Sequence, residues 1–372
     1  MPWMSAPGAE SLSARLPLRL YQRLHTAIGA GGGWLGFDTF MAIALYEPGL
    51  GYYTRGTPVF GWMASSGSDF VTAPEMSPYF GRTLARQVAQ ALQATGTQQV
   101  IEFGAGSGAL AEQLLDALGD AVERYTIVDV SGTLRERQAV RLARFAPRIS
   151  WLDAWPGTIE AVVLGNEVLD AMPVQLLHFD GRQWLERGVV SEDAGFAWAD
   201  RPTRRMPPAA GPFAPGTVTE IHLQAEAFMR SLAERLVRGA AFFIDYGFPE
   251  AEYYHPQRSG GTLMCHRAHQ ADSNPLVHVG EKDITAHVNF SAIALAGQDA
   301  GLQVLGYTSQ ARFLLNCGLL DLLHGADVRD TAMVQKLITE HEMGELFKVL
   351  GFVKGDDFGA IGFNAGDRSH TL

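Results

Sequence analysis

The side chains most suited to chemistry lie in the segment 166–173, which reads NEVLDAMP and directly follows an apolar run. Glu167 and Asp170 are three residues apart, so a helical turn would place both carboxylates on one side, close to Asn166. Paired carboxylates can bind and orient a cationic group, and a planar guanidinium is the best match because its N–H donors pair with them in a bidentate manner. Solvated acids in an ordinary loop are the alternative interpretation.

A glycine-rich loop occupies the second half of 100–108, which reads VIEFGAGSG. Gly104, Gly106 and Gly108 permit a tight turn and let a ligand lie against bare backbone at a helix N-terminus. The spacing also fits the dinucleotide-binding pattern, and a loop that merely packs a helix on a sheet is a third interpretation. Glu102 favours S-adenosylmethionine, because its charge would repel a pyrophosphate and suits a cationic sulfonium ligand.

Further polar side chains stand at strand or helix ends near this loop. Asp129 ends a second apolar strand 25 residues after the first glycine, where open α/β sheets bind ribose hydroxyls. Asp153 ends a shorter strand and is assigned to the adenine amine, with capping of a loop as the alternative. Thr72 lies just before a helix that begins near Pro78, so helix capping and a cofactor-covering role both stay open.

The histidines and cysteines do not indicate a metal centre. His266, His269 and His287 lack the spacing of a metal site, so no metal is predicted. Cys265 and Cys317 are too few for a disulfide framework or a cysteine zinc site. His287 is instead a candidate proton acceptor.

Composition narrows the class of partner. The chain has 372 residues, 47% of them hydrophobic, and a net charge of −11, which argues against nucleic acid as a partner. No apolar stretch approaches the ~18–20 residues that span a membrane. The N-terminus has no continuous apolar region typical of a secretory signal, and Pro2, Pro7 and Pro17 disfavour an amphipathic transit helix. We therefore predict a cytoplasmic protein.

The elements that must position these side chains form an α/β pattern. Apolar strands alternate with amphipathic helices, and the run 240–247 is almost wholly apolar, as a strand covered on both faces should be. The last two strands are predicted at 302–307 and 358–363, with a helical pair between them. No internal repeat or linker divides the chain.

The predicted organisation has three parts. They are a flexible tail at 1–20, a helical region at 21–96 that covers the cofactor site, and a core at 97–372 with a β-hairpin insertion at 174–200 and a helical insertion at 309–350. The Asp180-Gly181 pair is the hairpin signal. The insertions are a candidate surface for a homodimer.

In six segments the sequence resembles the MidA-type S-adenosylmethionine-dependent methyltransferases, relatives of the mitochondrial complex I assembly factor that methylates a protein arginine. The resemblance extends over roughly 21–363, judged by the order of the motifs. The segments are 46–53 (YEPGLGYY), 69–75 (DFVTAPE), 102–108 (EFGAGSG), 166–173 (NEVLDAMP), 244–247 (IDYG) and 283–290 (DITAHVNF). The glycine loop is common among methyltransferases, whereas the segments 166–173 and 283–290 are more particular.

This resemblance implies a Rossmann-like class I methyltransferase fold, a mostly parallel seven-strand sheet with helices on both faces and a reversed final strand. It implies S-adenosyl-L-methionine as cofactor, S-adenosyl-L-homocysteine as product, and a protein substrate such as a respiratory complex subunit. The segment 260–264 lacks the arginine that often follows its Thr-Leu pair, which bears on the acceptor. A small-molecule methyltransferase, a non-catalytic assembly factor and a nicotinamide oxidoreductase are the alternatives.

The spacing and the resemblance together yield two sets of site residues. The predicted cofactor-binding residues are Thr72, Glu102, Gly104, Ala105, Gly106, Gly108, Asp129, Val130, Asp153 and Asn166. The predicted catalytic residues are Asn166, Glu167, Asp170 and His287.

Overall fold

The computed structural model describes residues 15–55, 71–193 and 195–372. Most of the predicted tail, and the residues Asp69 and Phe70 of one motif, lie outside the described residues. The N-terminal elements are α1 (Arg15–Ala30), β1 (Leu35–Gly36), α2 (Phe37–Tyr46), α3 (Ala73–Met76) and α4 (Pro78–Thr95). Helix α1 begins at Arg15 and buries Leu20, which lies at the predicted boundary between the tail and the helical region.

The remaining elements alternate as the sequence pattern predicts. In the first half they are β2 (Gln99–Phe103), α5 (Ala109–Leu118), β3 (Arg124–Val128), α6 (Gly132–Arg141), β4 (Ile149–Leu152), β5 (Ile159–Asn166), β6 (Gln175–Phe179), β7 (Trp184–Glu192) and β8 (Gly195–Pro202). In the second half they are β9 (Val218–Ile221), α7 (Leu223–Arg235), β10 (Leu236–Phe248), α8 (Glu250–Tyr253), β11 (Met264–Arg267), β12 (Gln270–Asp272), β13 (Asp283–Thr285), β14 (Val288–Asn289), α9 (Phe290–Asp299), β15 (Gln303–Ser309), α10 (Gln310–Asn316), α11 (Leu319–Leu322), α12 (Val328–Ile338) and β16 (Phe347–Lys354).

The central sheet has the strand order β15-β16-β10-β5-β2-β3-β4, with the two-residue β14 paired to the end of β10. Strands β10, β5, β2, β3 and β4 pair in parallel, and β16 is antiparallel to both of its neighbours. The predicted α/β class with a mostly parallel sheet is therefore confirmed. The strand count is eight when β14 is included, so the number seven holds only for the main path.

The final strand lies elsewhere than predicted. β16 covers Phe347–Lys354, whereas the predicted strand 358–363 ends in the single 3-10 turn Ile361–Phe363. The run FKVLGFVK is apolar on both faces of the sheet, as a strand between two neighbours and two helix layers must be. The helical part of the predicted insertion 309–350 therefore ends before β16 begins at Phe347.

Two helix layers cover the sheet because its strands alternate their side chains between the two faces. Phe242 packs in one layer with Leu84 of α4 and Leu114 of α5. Its neighbour Phe243 packs in the other layer with Met229 of α7. Helix α4 thus packs in one of the two helix layers that cover the sheet.

The predicted β-hairpin insertion 174–200 forms part of a second, five-stranded sheet. Its order is β1-β7-β6-β9, with β8 paired to β7. The β6–β7 turn occurs at the predicted dipeptide, where Gly181 has φ 97° and Asp180 accepts the backbone N–H groups of Arg182 and Gln183. The flanking strands β1 and β9 come from distant parts of the chain, which a local pattern cannot reveal. Helices α1 and α2 pack on this sheet, where Leu24 and Phe40 are buried in one cluster with Val189 of β7.

Candidate active site

A cavity of about 600 Å³ opens at the carboxyl ends of β2, β3, β5 and β10. It is lined by all but one of the predicted site residues: Thr72, Glu102, Gly104, Ala105, Gly106, Asp129, Val130, Asp153, Asn166, Glu167, Asp170 and His287. Residues from several strand ends and from the loops that follow them thus meet in one cavity. Their joint position makes the cavity the candidate active site.

The glycine loop connects β2 to α5 through backbone that glycine adopts readily. Gly104 and Gly106 have φ values of 63° and 53°, and both line the cavity. A Cβ at Gly104 would lie 3.0 Å from Cγ2 of Val168, so the loop also approaches the neighbouring turn closely. Gly108 is the exception among the predicted residues. It has φ 82° and faces Gln138 and Leu142, so it packs the loop against α6 and does not line the cavity.

Two acids stand on the cofactor side of the cavity. Glu102 accepts a hydrogen bond from the Tyr125 hydroxyl at 2.7 Å, and burial raises its pKa to about 7. Asp129 accepts the Ser131 backbone N–H and the Gln138 amide, each at 2.9 Å. Burial raises the Asp129 pKa, and these two hydrogen bonds oppose the shift. Asp153 and Val130 lie at the exposed rim.

An ion pair between Arg141 and Glu75 links the segment that contains Thr72 to the glycine loop. Arg141 donates to Glu75 at 2.7 Å and to the Ser107 hydroxyl at 2.9 Å, and Ser107 itself donates to Glu75. Thr72 occupies the N-cap position of α3, where its side chain forms no capping hydrogen bond. Thr72 lines the cavity, and its cofactor-covering role stays a prediction.

The NEVLDAMP segment turns sharply where β5 ends. Glu167 has φ 55°, a left-handed conformation that is strained for a residue with a side chain. The following turn is held by Asp245 at the end of β10, whose Oδ2 accepts the N–H groups of Val168 and Leu169 at 3.1 and 2.9 Å. The sequence places Asp245 only at a strand end, and its capping role becomes visible from this pairing across the sheet.

Glu167 and Asp170 lie in a concentrated negative environment. Burial raises the pKa of Glu167 to about 8, and the charge of Asp170 adds to the shift. Burial raises the Asp170 pKa to about 6 against a hydrogen bond from the Tyr246 hydroxyl. Asp170 Oδ1 and Asn166 Oδ1 are buried and have no hydrogen-bond partner among the described residues. Such acceptors fit a ligand that brings N–H donors or positive charge.

Three tyrosines that complete the wall were not among the predicted site residues. Tyr246 donates to Asp170, while Tyr46 and Tyr53 stack with their ring centroids 5.5 Å apart. The Tyr53 hydroxyl donates to Asp283 at 2.7 Å, and this acid also lines the cavity. The YEPGLGYY motif was the available signal, but from sequence alone it fits simple ring stacking equally well.

His287 borders the cavity between the rings of Tyr246 and Phe248, at centroid distances of 5.2 and 5.1 Å. Burial lowers its pKa to about 4, and the nearby cations Arg258 and Lys348 lower it further. The imidazole is therefore neutral near pH 7 and a weak proton acceptor. His266 also lines the cavity, and His269 is exposed. Within the described ranges, no cluster of three His, Cys, Asp or Glu side chains is arranged to hold a metal ion.

The Tyr246→Phe substitution is expected to move the acid limb of the pH–rate profile to higher pH by about one unit. The hydroxyl stabilises the ionised Asp170 carboxylate, so its removal raises that pKa above about 6 and delays ionisation as the pH rises. Initial rates between pH 5 and 9 measure the shift. Tyr307→Phe is the matched control, because this buried hydroxyl contacts no hydrogen-bond partner in the described structure. Identical pH–rate profiles for wild type and Tyr246→Phe would contradict a role of the Tyr246 hydroxyl in setting the Asp170 pKa.

The lining of the cavity fits S-adenosylmethionine on three counts. Bare backbone at Gly104 and Gly106 admits close contact, Asp129 can accept ribose hydroxyls, and the acids suit a cationic aminoacyl-sulfonium group. A dinucleotide pyrophosphate would instead meet the Glu102 carboxyl. The fold and the site together define a class I methyltransferase.

Comparison with known proteins gives the family. The chain belongs to a family of S-adenosyl-L-methionine-dependent methyltransferases, whose family model matches residues 83–308. The protein is therefore an S-adenosylmethionine-dependent enzyme, and the resemblance to the MidA-type group is confirmed. The nicotinamide oxidoreductase alternative is wrong.

Individual relatives agree with this family. A crystal structure from Burkholderia thailandensis, bound to S-adenosyl-homocysteine, is 51% identical, covers 100% of both chains and superposes with a TM-score of 0.93. Protein arginine methyltransferase NDUFAF7, mitochondrial, from Danio rerio is 28% identical over 83% of this chain and 81% of its own length. The Homo sapiens protein of that name is 27% identical over 83% of this chain and 77% of its own length.

The comparisons correct one prediction. The cytoplasmic location is wrong, because the Danio rerio and Homo sapiens relatives are named as mitochondrial proteins. Among the residues that the structure describes, none of the helices is both long and apolar enough to cross a membrane.

Proposed function

We propose that the protein transfers a methyl group from S-adenosylmethionine to an arginine guanidinium of a protein substrate. The observation that carries this proposal is the group of buried acids beside the glycine loop. Glu167, Asp170 and Asp283 line the same cavity as Gly106, and Asp170 Oδ1 has no partner among the described residues. A planar cation is the acceptor that best satisfies several carboxylates at once.

The cofactor half of the cavity would have a role for each predicted cofactor-binding residue that lines it. The backbone of Gly104, Ala105 and Gly106 would lie against the bound molecule, and Asp129 would accept its ribose hydroxyls. The rim residues Val130 and Asp153 would border the adenine, while Glu102, Thr72 and Asn166 would surround the aminoacyl end. When bound, S-adenosylmethionine supplies an electrophilic methyl group on a sulfonium.

The acceptor half would orient the guanidinium and receive its proton. Glu167 and Asp170 would bind two N–H groups, which leaves the remaining nitrogen directed at the methyl group. Methyl transfer to that nitrogen would form a carbon–nitrogen bond as the carbon–sulfur bond of the sulfonium breaks, and the methylated nitrogen would release one proton to a carboxylate. A bound guanidinium cation would favour the ionised form of Glu167, whose raised pKa then makes it a stronger base than His287, with its pKa near 4.

Relatives support the choice of acceptor and cofactor. The zebrafish and human relatives are named protein arginine methyltransferases, and the Burkholderia structure contains S-adenosyl-homocysteine. We extend the corresponding reaction to this chain. A respiratory complex subunit as substrate, a homodimer, and the three-part division of the chain at residues 20 and 96 stay predictions.

Methyl-labelled S-adenosylmethionine and a lysate test the proposal, with a Gly106→Val protein as the inactive control. Label recovered as methylated arginine in a protein band of the wild-type sample alone is the expected result. Label in a small-molecule fraction would overturn the protein acceptor and favour the small-molecule alternative. No transfer by a wild-type protein that binds S-adenosyl-homocysteine would favour the binding platform.

A further inference from the structure

A single buried glutamine connects three elements on the cofactor side of the cavity. Gln138 lies on α6 and is 0% exposed. Its amide Nε2 donates to the carbonyl oxygen of Gly106 and to Oδ2 of Asp129, each at 2.9 Å. Its Oε1 accepts the indole N–H of Trp151 on β4 at 3.0 Å. The amide thus touches the glycine loop, the acid after β3 and the strand that leads to Asp153.

Chemistry fixes the orientation of this amide. The Trp151 indole can only donate, and a backbone carbonyl and an ionised carboxylate can only accept. Rotating the amide by half a turn would set its oxygen against two acceptors and its N–H groups against a donor. The three contacts therefore hold Gln138 in one orientation, and Gln138 in turn holds Asp129 and Gly106 at a fixed separation.

The same side chain packs the loop as well as bonding to it. A Cβ at Gly108 would lie 3.5 Å from Gln138 Cγ, so the aliphatic part of the glutamine supports the end of the loop. Asp129 Oδ1 is held independently by the Ser131 N–H. Each carboxylate oxygen keeps lone-pair capacity beyond these bonds, and Asp129 lines the cavity.

We propose that Gln138 is the positioning residue of the cofactor site, which sets the ribose-binding acid Asp129 and the Gly106 backbone in the arrangement that receives the adenosine. Gln138 itself does not line the cavity and acts through the two residues it holds. Its loss leaves a backbone carbonyl and a carboxylate without their shared donor, and both can then move out of register with the ligand.

Calorimetric titration of the full-length protein with S-adenosyl-homocysteine tests this proposal without any acceptor. The Gln138→Leu substitution is expected to raise the Kd roughly tenfold or more. Trp151→Phe, which keeps the amide and removes its indole partner, is expected to raise the Kd by a smaller factor. In the methyl-transfer assay, Gln138→Leu should raise the KM for S-adenosylmethionine. Its kcat at saturating S-adenosylmethionine should stay near the wild-type value, because the reacting groups are unchanged.

Gln138→Glu adds a readout that loss of stability alone would not produce. A second carboxylate beside Asp129 repels it when both are ionised, so the affinity of this variant should fall as the pH rises from 6 to 9. Wild-type affinity should change less over that range. A pH-independent Kd for Gln138→Glu would contradict the contact with Asp129.

Gln87→Leu is the matched control. Gln87 is also 0% exposed on a helix, and its amide accepts the Gly362 N–H and donates to Gln90, away from the cavity. This variant should lower the melting temperature and leave the Kd unchanged. An equal rise in Kd for Gln87→Leu and Gln138→Leu, or a wild-type Kd for Gln138→Leu and Trp151→Phe, would overturn the proposal.

Discussion

Replacing Gly106 with valine is expected to abolish cofactor binding, with an affinity loss of more than about 100-fold. Gly106 has φ 53° and its backbone lines the cavity. A β-branched residue is strongly disfavoured at such a φ, so the loop would have to change shape. Any side chain would also occupy space next to the bare backbone that the ligand requires. Titration with S-adenosyl-homocysteine measures the loss directly, and methyl transfer should disappear with it.

A second glycine with a left-handed φ provides a control that distinguishes backbone strain from steric blockage of the ligand. Gly119 has φ 52°, and a Cβ there would meet no atom within 4 Å. It follows α5 and does not line the cavity, so Gly119→Val should carry similar backbone strain without disturbing the ligand. We expect it to lower thermal stability and retain wild-type affinity. Normal binding by Gly106→Val would refute the assignment of the loop.

The Glu167→Gln substitution is expected to reduce kcat roughly 100-fold or more while the Kd for S-adenosyl-homocysteine changes less than about threefold. The amide is similar in shape but can neither pair with a guanidinium as an anion nor accept its proton. The cofactor half of the cavity keeps all its contacts. Single-turnover rates with the labelled acceptor, measured beside the titration, distinguish the two effects.

Glu226→Gln is a suitable control for the loss of one partly buried acid. Glu226 lies on α7, pairs with Arg230 at 3.5 Å and has a pKa raised mainly by burial. It does not line the cavity, so turnover should stay at the wild-type level. Unchanged turnover in Glu167→Gln itself would remove Glu167 from the mechanism.

Thermal stability offers an independent test of the Glu167 environment. Its pKa is raised from an ordinary 4.5 to about 8 in the folded protein, so the folded state holds the proton more tightly than the unfolded state. This contribution to stability is complete below about pH 4.5 and is lost as the pH rises through about 8. The Gln variant lacks it, so we expect its stability relative to wild type to improve by roughly 4 kcal/mol between pH 5 and 9.

The features predicted correctly from sequence are those that depend on neighbouring residues. Gly104, Gly106 and Glu102 follow one strand, and the carboxyl ends of parallel strands meet at one edge. That rule brings Asp129 and Asn166 to the same cavity from their strand positions alone. The shared location of the glycine loop and the acids was therefore predictable from the sequence, and their individual roles stay predictions.

The features that were missed depend on contacts between distant segments. Tyr53 reaches Asp283 across 230 residues, and Tyr246 reaches Asp170 across 76. In the sequence Gln138 resembles any other helical glutamine, because the residues beside it do not indicate a buried amide with three hydrogen-bond partners. The last strand was misplaced because β16 has the apolar character of the helices before it, and its pairing with β10 is non-local.

The left-handed backbone of Glu167 sets stability against activity at one position. Glycine would occupy φ 55° without the strain that the glutamate side chain imposes, and it would remove a buried carboxyl whose ionisation opposes folding. A variant chosen only for heat resistance would therefore tend to lose the acid at 167. Directed evolution of this protein for robustness needs a simultaneous screen for methyl transfer, since selection for either property alone would pull this residue in opposite directions.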